Sequence, residues 1–267
     1  MSTPRRPARP VSARALFAGA CLAASILCAA AAGARAQDPS PEPADTLRGI
    51  SLYKRGDTKG AVEALEAAVR QDQTDADAWH HLGLALRHEG DSAGATRTLE
   101  QAAEWRFRRF AWVRPADSRK GDLSVHSDER FAEAVETLEK YLEMKPEAEP
   151  AWRERLEAAR FYARFYSKKP ARARVAYSPD EVTTGVSIQS KPEPALRPKR
   201  LGGEGSYAVE SVVLLVTYAA DGAVRHIITV QPASPEYTRA VIEAARAVKF
   251  RPATLKGRPV SVVGYIY

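Results

Sequence analysis

Hydrophobic residues along the last quarter of the chain change their period twice, and each change marks an element. From Val212 to Tyr218 the residues are nearly all β-branched or aliphatic, Asp221-Gly222 supplies turn chemistry, and Val224 to Val230 resumes an apolar alternation. That pattern predicts a β-hairpin. Ser234 then offers an N-cap and Pro235 a first-turn residue, after which Tyr237, Ala240, Val241, Ala244 and Val248 recur at helical spacing. They predict an amphipathic helix with one face buried. Pro252, in Phe250-Arg251-Pro252-Ala253, stops it, because proline drives the preceding residue out of helical geometry. Lys256-Gly257 turns the chain, and Pro259 opens a final apolar strand, Val260 to Tyr267.

In the first half the apolar positions follow a longer rhythm. At an offset of ~34 residues Gly49 pairs with Gly83, Leu52 with Leu86, Gly56 with Gly90, Asp57 with Asp91, Ala61 with Ala95, Leu65 with Leu99 and Ala68 with Ala102. The period and the alternation of small and large residues resemble tetratricopeptide (TPR) repeats, each a helical hairpin. Gly56-Asp57 and Gly90-Asp91 end the first helix of each pair, and Ala61 and Ala95 let the two helices approach closely. Trp79, Leu82 and Gly83 match the repeat's first-helix pattern, whereas Asp45 and Arg48 make the first repeat a degraded copy. Two repeats bury no continuous core, so a third helical unit is expected. Ala134, Leu138, Tyr141 and Pro146 fit a second helix of that unit, and a capping helix runs from Trp152 to about Tyr166. Trp105 to Glu129 breaks the period and reads as a loop with a short irregular helix, closed by a helix start at Ser127-Asp128-Glu129.

The C-terminal order of strand, Asp-Gly turn, strand, helix, Phe250-Arg251-Pro252-Ala253, Lys256-Gly257-Arg258-Pro259-Val260 and strand resembles the C-terminal domain of the TonB family, over about Ile188 to Tyr267. The lead-in Ser190-Lys191-Pro192-Glu193-Pro194 is similar to that family's approach to its first strand. The resemblance implies a small α+β domain, a three-stranded antiparallel sheet with one helix on a face, which grips a short peptide of an outer-membrane transporter by strand addition. An unpaired sheet edge can template an incoming strand. The docking strand is placed at Val260, Ser261, Val262, Val263, Gly264 and Tyr265; a strand of ordinary sheet, its edge blunted by Pro259 and solvated charge, remains the alternative.

Compartment follows from the other end. Arg5, Arg6, Arg9 and Arg14 precede an apolar, alanine-dominated run from Ala15 to Ala32, and Ala34-Arg35-Ala36 closes it as a small-x-small cleavage site. This reads as a bacterial secretory signal peptide over residues 1–36, cut after Ala36, with an uncleaved inner-membrane anchor as the alternative. Both cysteines, Cys21 and Cys28, lie in that leader, so a mature chain beginning at Gln37 has no thiol for a disulfide or a metal. The formal charge of +7 falls to +2 once the leader's five arginines are removed, which argues against a nucleic-acid binder.

Residues 42–166 are thus read as a TPR-like helical repeat domain, 167–205 as a proline-rich basic linker, and 206–267 as the TonB-like domain. The alternating Trp105-Arg106-Phe107-Arg108-Arg109-Phe110 is read as aromatics covering the end of a repeat while the arginines stay wet. His80, His81, His88 and His226 stand apart from acids at ligand spacing, and no Gly-x-Ser-x-Gly elbow occurs. No enzyme, metal or cofactor is expected. The expected activity is protein binding in the periplasm, with envelope proteins such as a TonB-dependent transporter as partners. The first reading is TonB-like docking by strand addition, with a part in energy-coupled transport left open; the alternative is a non-energised envelope scaffold or assembly factor, and homodimer formation also stays open. The apolar leader has no histidine and the linker is short, so direct force transduction departs from the TonB pattern.

Overall fold

The computed structural model describes residues 44–110, 128–167, 174–198 and 211–267. Its helices are α1 (Ala44–Lys54), α2 (Thr58–Gln71), α3 (Ala76–His88), α4 (Ser92–Phe110), α5 (Asp128–Met144) and α6 (Pro150–Tyr166). The boundaries follow from cap chemistry. Gly56 and Gly90 sit at φ +84° and +89°, and the next amides, Asp57 and Asp91, donate back to Leu52 O and Leu86 O at 3.0 and 2.9 Å. Each pair of residues closes one helix, and its aspartate opens the next: Asp57 and Asp91 accept the amides of Gly60 and Gly94. The repeated glycines Gly49 and Gly83 lie against Leu65 and Leu99 of the following helix. A Cβ at Gly83 would meet Leu99 Cγ at 2.7 Å and Thr98 Oγ1 at 2.9 Å, both in a closed interface. Gly83→Ala is therefore expected to lower stability by about 1–3 kcal/mol in urea denaturation, despite alanine's better helix propensity.

Helix α5 occupies a different place from the one its sequence predicts. It packs on α4 and stands beside α3, linked to it by His80 with Thr137 and by Arg87 with Glu143. That is the place α3 holds relative to α2 and α1. Ala134, Leu138 and Tyr141 therefore belong to the first helix of the third pair, and α6 is its second helix rather than a cap. The sequence misleads because the insertion between α4 and α5 removes the phase. Within it, residues 105–110 continue α4 and are not a loop; 111–127, with Ser127, lie outside the described residues.

The C-terminal part holds β1 (Ser187–Ser190), β2 (Val213–Tyr218), β3 (Val224–Gln231), α7 (Pro235–Arg246), β4 (Lys249–Arg251), β5 (Ala253–Leu255), β6 (Arg258–Val260) and β7 (Val262–Ile266). An antiparallel sheet of order β3-β2-β7 is joined by two two-stranded ladders, β1-β4 and β5-β6. The expected single three-stranded sheet is thus only part of a larger set of antiparallel strands. The expected last strand is divided between β6 and β7 at Ser261, and the helix stops at Arg246, short of Val248. Gly222 (φ +88°) makes the predicted hairpin turn between β2 and β3.

Every residue of β2 is buried, because the sheet is covered on both faces. Val212, Leu214, Val216 and Tyr218 pack with Val241, Ala245, Val248 and Phe250 beneath α7. Val213 and Leu215, with Ile228, Val230 and Val263, pack against Phe131, Ala158, Phe161 and Tyr162 of α5 and α6. A strand with one wet face alternates apolar and polar residues, whereas a strand buried twice reads as a continuous apolar run. The third helical pair, α5 and α6, and the sheet therefore share one hydrophobic cluster, and the described residues from 44 to 267 belong to one compact unit.

The segment read as a linker is partly built into this unit. Tyr177 N–H donates to Ser261 O at 2.9 Å and Val263 N–H to Tyr177 O at 3.1 Å, so Tyr177 lies along the border of β7. Thr184 then bridges Thr254, and β1 follows beside β4. Residues 168–173 and 199–210 lie outside the described residues.

Candidate protein-binding surfaces

Helix α3 packs beside α1, and α3 and α5 are fastened to each other by a charged cluster that α4 supplies. Arg106 of α4, only 4 % exposed, reaches Asp77 of α3 at 2.9 Å and Glu133 of α5 at 2.7 Å, and Arg109 reaches Asp77 at 3.2 Å. Sequence reasoning left these arginines in water; the helical spacing of Trp105, Arg106 and Arg109 instead turns Arg106 inward. The aromatic part of that reading fares differently. Phe107 packs between two core clusters under Arg155, whose guanidinium lies 5.5 Å from its ring centre, while exposed Arg108 covers Trp105 at 4.7 Å. Burial pushes the Asp77 carboxyl up, but Arg106 and Arg109 together outweigh it and hold it below the usual range. His80 is buried beside this cluster, sharing a 3.0 Å hydrogen bond with Thr137 Oγ1. Burial first, and Arg106 next, push its imidazole down to about 3. Towards solvent the same row of helices presents Leu47 on α1, 53 % exposed, with Ile50, Tyr53, His81 and Leu84 half-buried. Leu47 is thus an exposed apolar side chain on the repeat array.

The residues assigned to strand docking are in one neighbourhood but in two strands. Val260 ends β6 opposite Ala253. Ser261 lies between the strands; its Oγ accepts the Ala220 amide at 3.2 Å and its carbonyl accepts from Tyr177. Val262, Val263, Gly264 and Tyr265 pair in β7 with Tyr218, Thr217, Val216 and Leu215 of β2. Over Ser261–Val263 the outer border of β7 already carries Tyr177. Tyr177 gave no signal in the sequence, since one bridge residue between prolines has no periodicity. Ala34 and Ala36 lie outside the described residues.

Where sheet meets helices, His226 is the residue with unusual chemistry. It takes φ +50° at an irregularity in the β2-β3 ladder, its carbonyl accepts the Tyr162 hydroxyl at 2.8 Å, and its ring stacks on Phe161 at 4.0 Å between centroids. Its Nδ1 has no hydrogen-bond partner among the described residues. Burial, reinforced by Arg225 and Arg164, pushes His226 down to about 4. His80 and His226 are thus neutral in the fold, while the unfolded chain protonates them below the ordinary imidazole value of 6.5. Their contribution to stability is complete above that pH and is lost as pH falls from 6.5 towards 4. The urea midpoint is expected to drop between pH 7.5 and pH 5, and to drop less in His226→Asn, which keeps a residue tolerant of positive φ.

Comparisons with known proteins agree with the helical part. Residues 49–88 match the family described as TPR repeat, and residues 76–108 the family described as Tetratricopeptide repeat. The chain therefore carries TPR repeats over 49–108, which indicate protein–protein interaction. No curated protein matches the chain. Among solved structures it is similar to the Yersinia enterocolitica type III secretion translocator chaperone SycD, at 16 % identity and a TM-score of 0.23, covering 45 % of this chain and 78 % of that one. The same chaperone in complex with a peptide of the translocator YopD gives 17 % identity, 44 % and 91 % coverage, and a TM-score of 0.23. A mutant of the Thermobaculum terrenum O-GlcNAc transferase gives 18 % identity, 48 % of this chain, 23 % of that chain, and again 0.23. Likenesses this weak assign neither partner nor activity.

Proposed function

We propose that the chain is an exported, non-enzymatic adaptor of the cell envelope. Its TPR face holds a protein partner, and its TonB-like C-terminal domain is a fixed part of the scaffold rather than an energised arm. The observation that carries this reading is the core common to α5, α6 and the β3-β2-β7 sheet. An arm that pulls on a transporter needs a domain free to travel on its spacer, whereas here Phe161, Tyr162 and Phe131 are buried against Leu215, Ile228 and Val263. The charged leader ending in Ala34-Arg35-Ala36 supports export, and the TPR repeats support a polypeptide partner.

The second reading is TonB-like strand addition to an outer-membrane transporter, with energy coupling through a retained N-terminal helix. It is favoured by the resemblance of residues 188–267 and by β7 lying at a border of its sheet. Against it stands Tyr177, which an incoming strand at Ser261–Val263 would have to displace.

Intact mass and fractionation of the protein from a Gram-negative host, with a photo-crosslinking residue at Leu47 or at Tyr265, separate the two. The adaptor reading expects a mature chain beginning at Gln37 in the soluble periplasm, and cross-links from Leu47. An uncut chain in the inner membrane with motor components, cross-linked from Tyr265 to a transporter, would replace it.

A further inference from the structure

The outer border of β1 is built to receive a strand, and we propose that it binds an extended acidic segment of a partner protein. The inference goes beyond the adaptor role and holds for the purified protein whatever its compartment.

The border is defined by register. Thr184 and Thr254 exchange both backbone hydrogen bonds, Thr184 N–H to Thr254 O at 3.1 Å and Thr254 N–H to Thr184 O at 2.9 Å. The same antiparallel register continues through Ser187 opposite Arg251 and Ile188 opposite Phe250. Backbone groups alternate sides along such a ladder, so Thr184, Val186 and Ile188 face β5 and β4 while Gly185 and Ser187 turn their N–H and C=O outward. No hydrogen bond outside the ladders reaches the backbone of Gly185 among the described residues, and the register turns the Ser187 pair to the same side. All four residues of β1 are exposed, and a Cβ built on Gly185 would meet nothing within 4 Å. Two other sheet borders differ: Tyr177 lies along β7, and the Tyr162 hydroxyl occupies the His226 carbonyl in β3.

Proteins usually guard an open edge with charge or proline in the edge strand itself. Ser187-Ile188-Gln189-Ser190 has neither. The charge sits one strand further in. Lys249 and Arg251 are exposed on one face of β4, with Phe250 buried on the other, and they lie opposite Ser190 and Ser187. Lys191 continues β1, and Lys256 and Arg258 flank the next turn, both exposed. Lys191 donates to Tyr267 O, and none of the other four cations is in an ion pair among the described residues. An incoming strand gains main-chain hydrogen bonds from Gly185 and Ser187, and acids at its alternate positions lie two strand spacings, about 10 Å, from β4, a span that the long side chains of Lys249 and Arg251 cover. The same cations repel a basic strand, which gives the site its selectivity.

The test measures fluorescence anisotropy of the full chain with a labelled, capped octapeptide of alternating Glu and Val, against a Lys/Val counterpart and Glu/Val peptides N-methylated at alternate amides in either phase. Saturable binding of Glu/Val, loss on methylation in one phase, and no binding of Lys/Val are expected. Ser187→Pro removes the outward donor without taking a bond from β4 and is expected to weaken binding about tenfold or more. Lys249→Glu with Arg251→Glu touches exposed side chains alone and is expected to exchange the preference to Lys/Val. Should Ser187→Pro misfold, the methylated peptides and the charge reversal decide. Absent Glu/Val binding, indifference to methylation, binding to phosphatidylglycerol vesicles in place of peptide, or a chain that self-associates through this edge would each overturn the proposal.

Discussion

Replacing Tyr162 by alanine is expected to destabilise the whole described unit by about 3–5 kcal/mol, and to do so in one transition. Tyr162 is fully buried, its ring centroid 5.3 Å from those of Phe131 and Phe161 on the helical side, and it shares a core cluster with Leu215, Ile228 and Val263 of the sheet, so truncation removes apolar contacts on both sides at once. It also removes the hydroxyl that donates to His226 O at 2.8 Å and leaves a buried carbonyl without that donor. Far-ultraviolet circular dichroism, which follows the helices, and near-ultraviolet signals of the sheet tyrosines are expected to shift together in urea. Tyr162→Phe keeps the ring and loses the hydroxyl alone, with an expected cost of about 1–2 kcal/mol. If the alanine variant instead melted in two steps, with the helical signal unmoved, the common core would not bind the two parts into one cooperative body.

The second large effect is expected at Arg106. Arg106→Met removes the cation that Asp77 and Glu133 share at 2.9 and 2.7 Å, from a side chain only 4 % exposed. Removing one member of a buried ionic group costs about 3–5 kcal/mol because the other charge stays behind. Glu133 is 44 % exposed and can turn to water, so the cost falls chiefly on Asp77, at 20 %, which keeps Arg109 alone. The sign of the pH dependence follows. In the wild type, Asp77 is held below the ordinary carboxyl value of 3.8, so its contribution is present above that pH and lost as pH falls below it. In the variant, burial acts on Asp77 with one cation less, its proton is held more tightly, and the deficit relative to wild type is expected to shrink on acidification from pH 7 to 4. Arg106→Met with Asp77→Asn is expected to cost less than the two single changes added, because the stranded charge is gone. Urea titrations of the four proteins at both pH values measure this directly.

What was legible in the sequence was local or strictly periodic. Gly56-Asp57 and Gly90-Asp91 announce a helix end and the next start through two adjacent residues, and the spacing of Gly49, Leu65, Gly83 and Leu99 carries the interhelical contact. Asp221-Gly222 and the Pro235 helix are read the same way. What escaped depended on distant partners. The seventeen residues 111–127 separate α4 from α5, so the phase of the third pair is lost, and α5 is mistaken for a second helix. Tyr177 and β1 pair with Ser261–Val263 and with β4 across some sixty to eighty residues of chain, and such short contacts leave no period. One clue was available. Val212 to Val216 has no polar face, and a single helix covers a single face, so the run itself calls for another layer behind the sheet.

That layer also decides how far the solenoid can grow. Stacked helical hairpins expose an apolar flank at each end and need a terminal element with a wet outer side. At α6 the flank formed by Ala158, Phe161 and Tyr162 is taken by β-strands, whose own far side is closed in turn by α7. A fourth hairpin has nowhere to stack there. Duplication of repeat units, the ordinary route by which such arrays change their reach, is barred at this end, and any lengthening must enter upstream of α5.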